Sequence, residues 1–147
     1  MSLEVETVLV PVDGSEASAH AAEYAAAIAD RYGADIHALF VIGETVARGI
    51  ETGEVDESAV AEDHQAFVAD VEALAPEGVA VTTSTANAFS TTRKLHHPGS
   101  VTLDAAADVD ADFIVVPRST DLDGSGNVLE KAAEYVLLYA SQPVLSV

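Results

Sequence analysis

The groups best suited to chemistry in this 147-residue chain follow two apolar runs. Thr7–Val12 leads into Asp13 and a Gly-Ser pair, and 113–116 leads into a loop, 117–131, rich in Pro, Ser, Thr, Asp and Gly. Such a sequence is typical of a buried strand whose loop leaves the carboxyl end of a parallel sheet. If both corners belong to one sheet, they meet in the crevice where open α/β sheets bind ligands.

The 117–131 loop holds side chains of both signs. Arg118, Ser119 and Lys131 could contact an anion such as phosphate. Three carboxylates of the loop would each repel phosphate by ~1 kcal/mol at about 4 Å in a water-like dielectric: Asp121, Asp123 and Glu130. Salt or Mg²⁺ could offset this repulsion, and the alternative interpretation makes Arg118 and Lys131 solvent-exposed countercharges.

A second cationic segment contains Arg93, Lys94, His96 and His97, in a chain with only 6 Lys and Arg. It follows the carboxyl end of the third predicted strand, so we interpret it as an anion-binding loop or as a patch that meets an acidic partner. The alternative is a surface loop with scattered charge. A metal site at His96 and His97 is disfavoured, because adjacent residues of an extended chain point in opposite directions.

No residue pattern indicates catalysis. The chain has 0 Cys, which excludes thiol catalysis and Cys-based metal sites. A Ser nucleophile would need a G-x-S-x-G turn, but 123–127 has the wrong spacing and no His follows it. We therefore expect no catalytic residues, no bound metal and no enzymatic activity, with a weak ATPase as the remaining alternative.

Hydrophobic periodicity predicts strands and helices in alternation. The predicted strands cover 5–12, 35–42, 79–85, 112–116 and 143–147. The predicted helices run from Ser15 to Gly33, from Asp56 or Ser58 to Leu74, from Ser100 to Val109 and from Asn127 to Ala140, whereas 43–55 is predicted as a loop. This order predicts one α/β domain, 1–147, with a doubly wound parallel sheet and helices on both faces.

Each predicted helix has one apolar face. Alanines at helical spacing would let the first helix lie close to the sheet, and Asn127 with Glu130 resembles a capping box at the start of the last. The predicted inward residues of the last helix are Leu129, Ala132, Ala133, Val136, Leu137 and Ala140. In the second helix, His64 shares its face with Phe67 and Leu74, which indicates a packed histidine rather than a ligand.

Charge is the most unusual property of the composition, with 25 Asp and Glu and a net charge of −19. So acidic a chain should repel nucleic acids and anionic membranes. The composition resembles that of cytosolic proteins from salt-accumulating organisms, and at ~1 M salt a Debye length of about 3 Å would screen the self-repulsion. We therefore expect weaker folding at low salt, and, because no apolar run reaches ~20 residues, a cytoplasmic location.

Several segments resemble the universal stress protein family. The opening 8–18, Val-Leu-Val-Pro-Val-Asp-Gly-Ser-Glu-Ala-Ser before an Ala-rich helix, is similar to the family's first strand and corner. The segments 112–116 and 142–147 are similar to its fourth and fifth strands. The resemblance implies a five-stranded sheet of order 3-2-1-4-5 and homodimers that pair through the C-terminal strand, 143–147.

The resemblance also implies where a nucleotide would bind. Family members that bind ATP carry G-x-x-G, nine residues and G-[ST] after the fourth strand, so that backbone N–H groups can approach phosphate. Here Pro117, Thr120 and Glu130 stand in place of the three glycines, and Pro has no N–H to donate. The candidate nucleotide-binding residues are Pro11, Val12, Asp13, Val41, Arg118, Ser119, Lys131 and Ala132.

Two functions follow from these observations. The first is a stress-response or signalling domain that dimerises and binds partners, with a degenerate ATP-binding loop and no expected cofactor. The alternative is an adenine-nucleotide-binding module, in which Asp13 and the backbone at Val41 hold the adenosine of ATP or AMP and the divergent 117–131 loop contacts phosphate.

Overall fold

The computed structural model describes residues 4–88, 97–117 and 127–147. Strands and helices alternate along these residues as predicted, with one additional helix. The strands are β1 (Thr7–Val12), β2 (Asp35–Gly43), β3 (Val81–Ala88), β4 (Phe113–Val116) and β5 (Val144–Ser146). The helices are α1 (Glu16–Tyr32), α2 (Glu44–Thr52), α3 (Glu57–Leu74), α4 (Pro98–Asp108) and α5 (Asn127–Tyr139).

All five strands pair in parallel in one sheet of order β3-β2-β1-β4-β5. This confirms the predicted doubly wound fold and its 3-2-1-4-5 order. β1 lies at the centre, paired with β2 from Thr7 to Val12 and with β4 at Val8 and Leu9. Its side chains are buried from Val8 onward, because helices cover both faces of a parallel sheet.

The alternation of side chains along β1 divides the core between two helical layers. Val8, Val10 and Val12 pack with residues of α1 and α3 on one side of the sheet, the α1/α3 face. Leu9 packs with residues of α4 and α5 on the other side, the α4/α5 face. The two helical layers therefore cover opposite faces of the sheet.

The helix α1 begins and ends at the predicted residues. Ser15 caps it, because its side-chain oxygen accepts the N–H of Ser18 at 3.2 Å, a contact worth about 1 kcal/mol. Gly33 ends it with a φ of 66°, in the left-handed region that glycine adopts without strain. The predicted close approach to the sheet is also found, since the inward residues are small and fully or nearly buried: Ala21, Ala22, Ala25, Ala26 and Ala29.

The prediction of a loop over 43–55 is wrong, since α2 occupies most of it. Glycine lowers helix propensity by about 1 kcal/mol relative to Ala, so Gly49 in the middle favoured a loop. In the fold Gly49 is buried, and a Cβ there would lie 2.5 Å from the side chain of Val55, whose N–H donates to Gly49 O at 2.9 Å. The glycine therefore allows the chain just after α2 to fold back against the helix, which Gly53 (φ 81°) ends.

The helix α4 begins at Pro98 rather than at the predicted Ser100. Pro and Gly usually interrupt a helix, but Pro suits its first position because no N–H is needed there. Gly99 allows close packing, since a Cβ at that position would overlap the side chain of Tyr135 in α5. Pro98 and Gly99 thus belong to the first turn of α4 and do not interrupt it.

The apolar face of α5 is narrower than predicted. Leu129, Ala132, Ala133 and Val136 are buried, but Leu137 is 53% exposed. The side chains of the predicted capping box at Asn127 and Glu130 lie outside the described part of the structure. In residues 4–88, 97–117 and 127–147, every helix is too short or too polar to cross a membrane.

Candidate functional site

The carboxyl ends of β1 and β4 lie side by side, as the two-corner hypothesis requires. The strands pair at Val8 with Phe113 and at Leu9 with Ile114. Continuing this parallel register places Pro117 beside Val12, so Asp13 and the 117–131 loop leave the same edge of the sheet. The prediction that the two corners lie side by side is therefore confirmed, because parallel strands direct their carboxyl ends to one edge.

Asp13 is held in place by its own corner. The side chain is half-buried, and its Oδ1 accepts the N–H of Ser15 at 2.9 Å. Between them Gly14 has a φ of 83°, a conformation that residues with a Cβ rarely adopt. The carboxylate is thus fixed at the start of α1, and its second oxygen, Oδ2, could accept a hydrogen bond from an amine or hydroxyl group of a ligand.

The other candidates on β1 and β2 have buried side chains. Pro11, Val12 and Val41 are all buried, and Val41 packs with Leu39 and Leu129 on the α4/α5 face. Because Val12 pairs with the residue before Val41, the backbone of Val41 lies beside the crevice. These positions can offer a ligand backbone groups and an apolar wall, but no charge.

The candidates from the second corner are only partly described. Lys131 lies on the exposed side of α5, whereas Ala132 is fully buried. Arg118, Ser119 and Thr120 lie outside the described residues. Pro117, buried at the end of β4, stands where the family pattern has its first phosphate-binding glycine. The predicted degeneration of the loop therefore stays a prediction from the sequence.

One residue of the predicted anion-binding loop is described, and it caps a helix. The Nδ1 atom of His97 accepts the N–H of Gly99 at 3.0 Å, at the start of α4. Its ring lies 4.8 Å from the ring of Tyr135, centroid to centroid. His97 therefore serves as the N-cap of α4. Arg93, Lys94 and His96 lie outside the described residues.

A buried histidine on β2 was missed by the sequence reasoning. His37 is 5% exposed, and its ring nitrogens lie 2.7 Å from Thr82 Oγ1 and 2.8 Å from Ser84 Oγ on β3. Desolvation by burial lowers the pKa of His37 from its usual 6.5. A local pattern could not identify these partners, because they lie on another strand.

His64 occupies the opposite side of β2 and confirms the prediction of a packed histidine. Its ring stacks on Phe40 with centroids 4.0 Å apart. Burial lowers the pKa of His64, and the charge of Asp63 partly opposes this effect. Among the described residues no cluster of three or more His, Asp or Glu is arranged to hold a metal ion.

The architecture and the crevice define a class, the doubly wound α/β domains that present a ligand site where the strand order reverses. Within that class, the sequence from residue 4 to residue 147 matches the model of the universal stress protein family. The chain belongs to the universal stress protein family. A comparison with curated protein sequences gives no match.

Solved structures of the same family share the fold. The universal stress protein UspA from Lactobacillus plantarum is 20% identical, with a TM-score of 0.71 and 99% of each chain covered. A universal stress protein in complex with cAMP is 18% identical (TM-score 0.65; 99% of this chain, 98% of that one). A universal stress protein from Archaeoglobus fulgidus in complex with dAMP is 18% identical (TM-score 0.59; 99% and 98%). At these identities the likeness establishes the fold alone.

Proposed function

We propose that the protein acts in stress response or signalling as a homodimer that binds partner proteins, without the triphosphate-binding motif of its family. The open edge of β5 is the observation that carries this proposal. The proposal includes no catalytic step and places the protein in the cytoplasm.

The hydrogen bonds between β4 and β5 define which groups of β5 point outward. Pro143 O and Val147 N–H both bond to β4, at 3.0 Å each. Because backbone groups alternate in direction along a strand, those of Val144 and Ser146 point away from the sheet. They offer donors and acceptors to a second strand, and a second copy of β5 would supply them in return.

The end of α5 adds an exposed apolar surface near this edge. We call Leu137, Leu138 and Tyr139, which are 53%, 76% and 64% exposed, the apolar ridge. No charged residue occurs from 135 to 147, although the net charge of the chain is −19. Two copies could therefore meet here without like-charge repulsion, and burial of one large apolar side chain contributes about 1.5–3 kcal/mol.

Sedimentation velocity of matched variants tests this dimer. Leu138→Asp adds a charge to the apolar ridge, and Ser146→Pro removes an outward N–H of β5. Both should convert dimers to monomers. Leu74→Asp is the control, because Leu74 is also exposed (46%) but lies on α3, at the opposite face of the sheet. A wild-type protein that is monomeric, or dimers that survive both edge variants, would overturn the proposal.

We expect no ATP binding of the kind found in the family because of Pro117 and the spacing of glycines in the 117–131 loop. Proline offers no N–H to a phosphate, and Thr120 and Glu130 bring Cβ atoms to positions where the family pattern has glycine. Charge repulsion could be screened by salt or Mg²⁺, but lost backbone geometry could not. Asp13 has an oxygen that could accept a hydrogen bond from adenosine, whereas Pro117 has no N–H to donate to a phosphate.

Binding of an adenine nucleotide is the second candidate function. It is favoured by the fixed Asp13 carboxylate and by the two similar structures in complex with cAMP and with dAMP. In this alternative Arg118, Ser119 or Lys131 would contact phosphate.

Calorimetric titration of ATP and AMP with Mg²⁺, at low and high salt, separates the two candidates. We expect no saturable binding of ATP in the micromolar range. Micromolar binding of ATP would overturn the proposal of a domain without nucleotide binding, provided that it depends on Asp13. Asp13→Asn, which retains an oxygen for the Ser15 bond, should then abolish the binding. The control Asp30→Asn, on the exposed side of α1, should keep it.

The acidic surface supports a further part of the proposal, adaptation to high salt. With a net charge of −19, self-repulsion should destabilise the fold most when screening is weakest. We expect the melting temperature to rise from ~0.1 M to ~1 M salt, as the Debye length falls from about 10 to about 3 Å. A melting temperature that does not change with salt would remove this part.

A further inference from the structure

The edge of the sheet opposite β5 is formed by β3. Its backbone groups divide into two sets. Ile36 N–H donates to Ala80 O at 2.9 Å, so the groups of Ala80 face β2, and those of every second residue after it do the same. The remaining residues, Val81, Thr83, Thr85 and Asn87, direct their N–H and C=O groups outward. This edge is longer than that of β5.

Among the described residues, the β3 edge lacks four features that usually prevent strand pairing. Edge strands are commonly protected by charged side chains, proline, a bulge or short length. Residues 78–88 contain no charged residue and no proline. All eight residues of β3 pair in register with β2, from Val81 opposite Ile36 to Ala88 opposite Gly43, so no bulge interrupts it. An unguarded edge of this length is a template for another strand.

Side-chain hydrogen bonds from β2 also hold β3 in its extended conformation. Buried His37 on β2 bridges the hydroxyl groups of Thr82 and Ser84, whose backbones face inward. These bonds tie the middle of β3 to the sheet and leave the outward set untouched. Because β3 is already ordered, a pairing strand would not need to order it.

The net charge of the chain indicates which kind of partner would pair with the β3 edge. Most of the surface of a chain with net charge −19 repels a second copy of itself and attracts basic partners. The uncharged β3 edge offers a basic partner no carboxylate to pair with, whereas two copies that meet there bring no like charges into direct contact. The edge therefore fits another acidic chain of the same kind.

We propose that the β3 edge pairs with the β3 edge of a second copy of this chain, antiparallel about a two-fold axis at Ser84. In that register Thr83 lies opposite Thr85, and Val81 opposite Asn87, so each outward backbone group meets a partner. This contact is separate from the β5 dimer. If both edges pair, the sheets of successive copies join into assemblies larger than dimers, which grow as salt screens the remaining charge.

The experiment uses sedimentation velocity from ~0.1 M to ~1 M salt, where screening becomes strong. Thr83→Glu/Thr85→Glu places charges on two exposed edge residues without changing the bonds to β2. We expect the wild type to form species larger than dimers at high salt and the variant to lose them but keep its dimer. The control Ala61→Glu/Ala66→Glu adds the same charge on exposed positions of α3 and should keep the large species.

Ser146→Pro separates the two edges. With β5 blocked, we expect a salt-dependent dimer that disappears when Thr83→Glu/Thr85→Glu is added. Circular dichroism checks that every variant remains folded. A Ser146→Pro protein that stays monomeric at every salt concentration, or large species that survive the β3 substitutions, would overturn the proposal, whether or not the β5 dimer is found.

Discussion

The two faces of the sheet are built differently. On the α1/α3 face, strand valines, helix alanines and Phe40 form one continuous apolar cluster. On the α4/α5 face the core divides into two clusters, around Leu9 and around Leu39. Both faces bury polar groups. The hydroxyl groups of Ser18 on α1 and Thr102 on α4 donate to carbonyls at the start of their own helices, at 2.9 and 2.7 Å, whereas the His37 ring on the α4/α5 face bonds to hydroxyl groups of another strand. The comparison indicates that the α4/α5 face depends, in addition to apolar packing, on polar contacts between strands.

The largest expected effect tests the apolar face directly. Phe40 packs against Phe67 and His64 in the continuous cluster, and Phe40→Ala should lower the free energy of unfolding by about 3–5 kcal/mol. Leu39, the preceding residue on β2, points to the divided face, and Leu39→Ala should cost less, within about 2–5 kcal/mol. Urea denaturation measures both. An equal or greater loss for Leu39→Ala would contradict the comparison.

A smaller effect is expected at the tight contact between α4 and α5. Gly99→Ala forces a Cβ against the Tyr135 side chain and should destabilise the fold by about 1–3 kcal/mol. In a double-mutant cycle, Tyr135→Gly should remove most of the added cost, because it removes the Cβ, Cγ and Cδ1 atoms that the new Cβ would overlap, whereas Tyr135→Ala would leave the nearest of them, Cβ, in place. If Gly99→Ala costs the same with Tyr135 present and absent, the glycine is required for another reason.

The cap of α1 is expected to contribute less. Ser15→Ala removes the acceptor for the N–H of Ser18 and should cost about 1 kcal/mol, whereas Ser15→Gly should cost only a few tenths. Thermal unfolding at one fixed salt concentration measures both. A Ser15→Ala protein as stable as the wild type would show that the side-chain bond to Ser18 does not contribute to stability.

The pH dependence of stability compares the two histidines that flank β2. Burial lowers the pKa of both His37 and His64 in the folded state, so the unfolded chain binds more protons below the usual value of 6.5. Their contribution to stability is present above pH 6.5 and is lost as pH falls toward the folded-state pKa. The effect of His37 should be the larger, because Asp63 partly offsets burial at His64.

Denaturation curves from pH 5 to pH 8, taken as an approximate range around the usual histidine pKa, measure this slope. His37→Leu should flatten the dependence more than His64→Leu does. A slope that stays unchanged in His37→Leu would show that other groups cause it. A greater flattening in His64→Leu would show that His64, rather than His37, contributes more to the pH dependence of stability.

Local sequence patterns predicted the elements whose causes are local. The cap at Ser15, the end at Gly33 and the apolar runs of the strands depend on residues within a few positions of each other. Patterns failed where a residue serves a distant contact. Gly99 disfavours a helix locally, but it allows Tyr135 of α5 to pack closely against α4. At Gly49 the contact that was overlooked is nearer in the chain, with Val55. Leu137 has helical spacing, yet the packing of α5 leaves it exposed.

The candidate site was predictable in part for the same reason. The sequence located Asp13 at the carboxyl end of β1, because the change from an apolar run to Asp-Gly-Ser is local. It assigned His97 to an anion-binding loop, although the Nδ1 atom caps α4, and it overlooked His37, whose hydroxyl partners lie about forty-five positions away on β3. Neither role has a local signal beyond a single histidine.

The sequence by itself determined the alternation of strands and helices and the position of both corners, since a period of two or of about 3.6 residues follows from backbone geometry alone. Its resemblance to the family supplied the strand order. Only the tertiary structure decided which histidines are buried, which glycines allow close packing and which backbone groups of β3 and β5 point outward. These features depend on contacts between segments that are distant in the chain, and no local period records them.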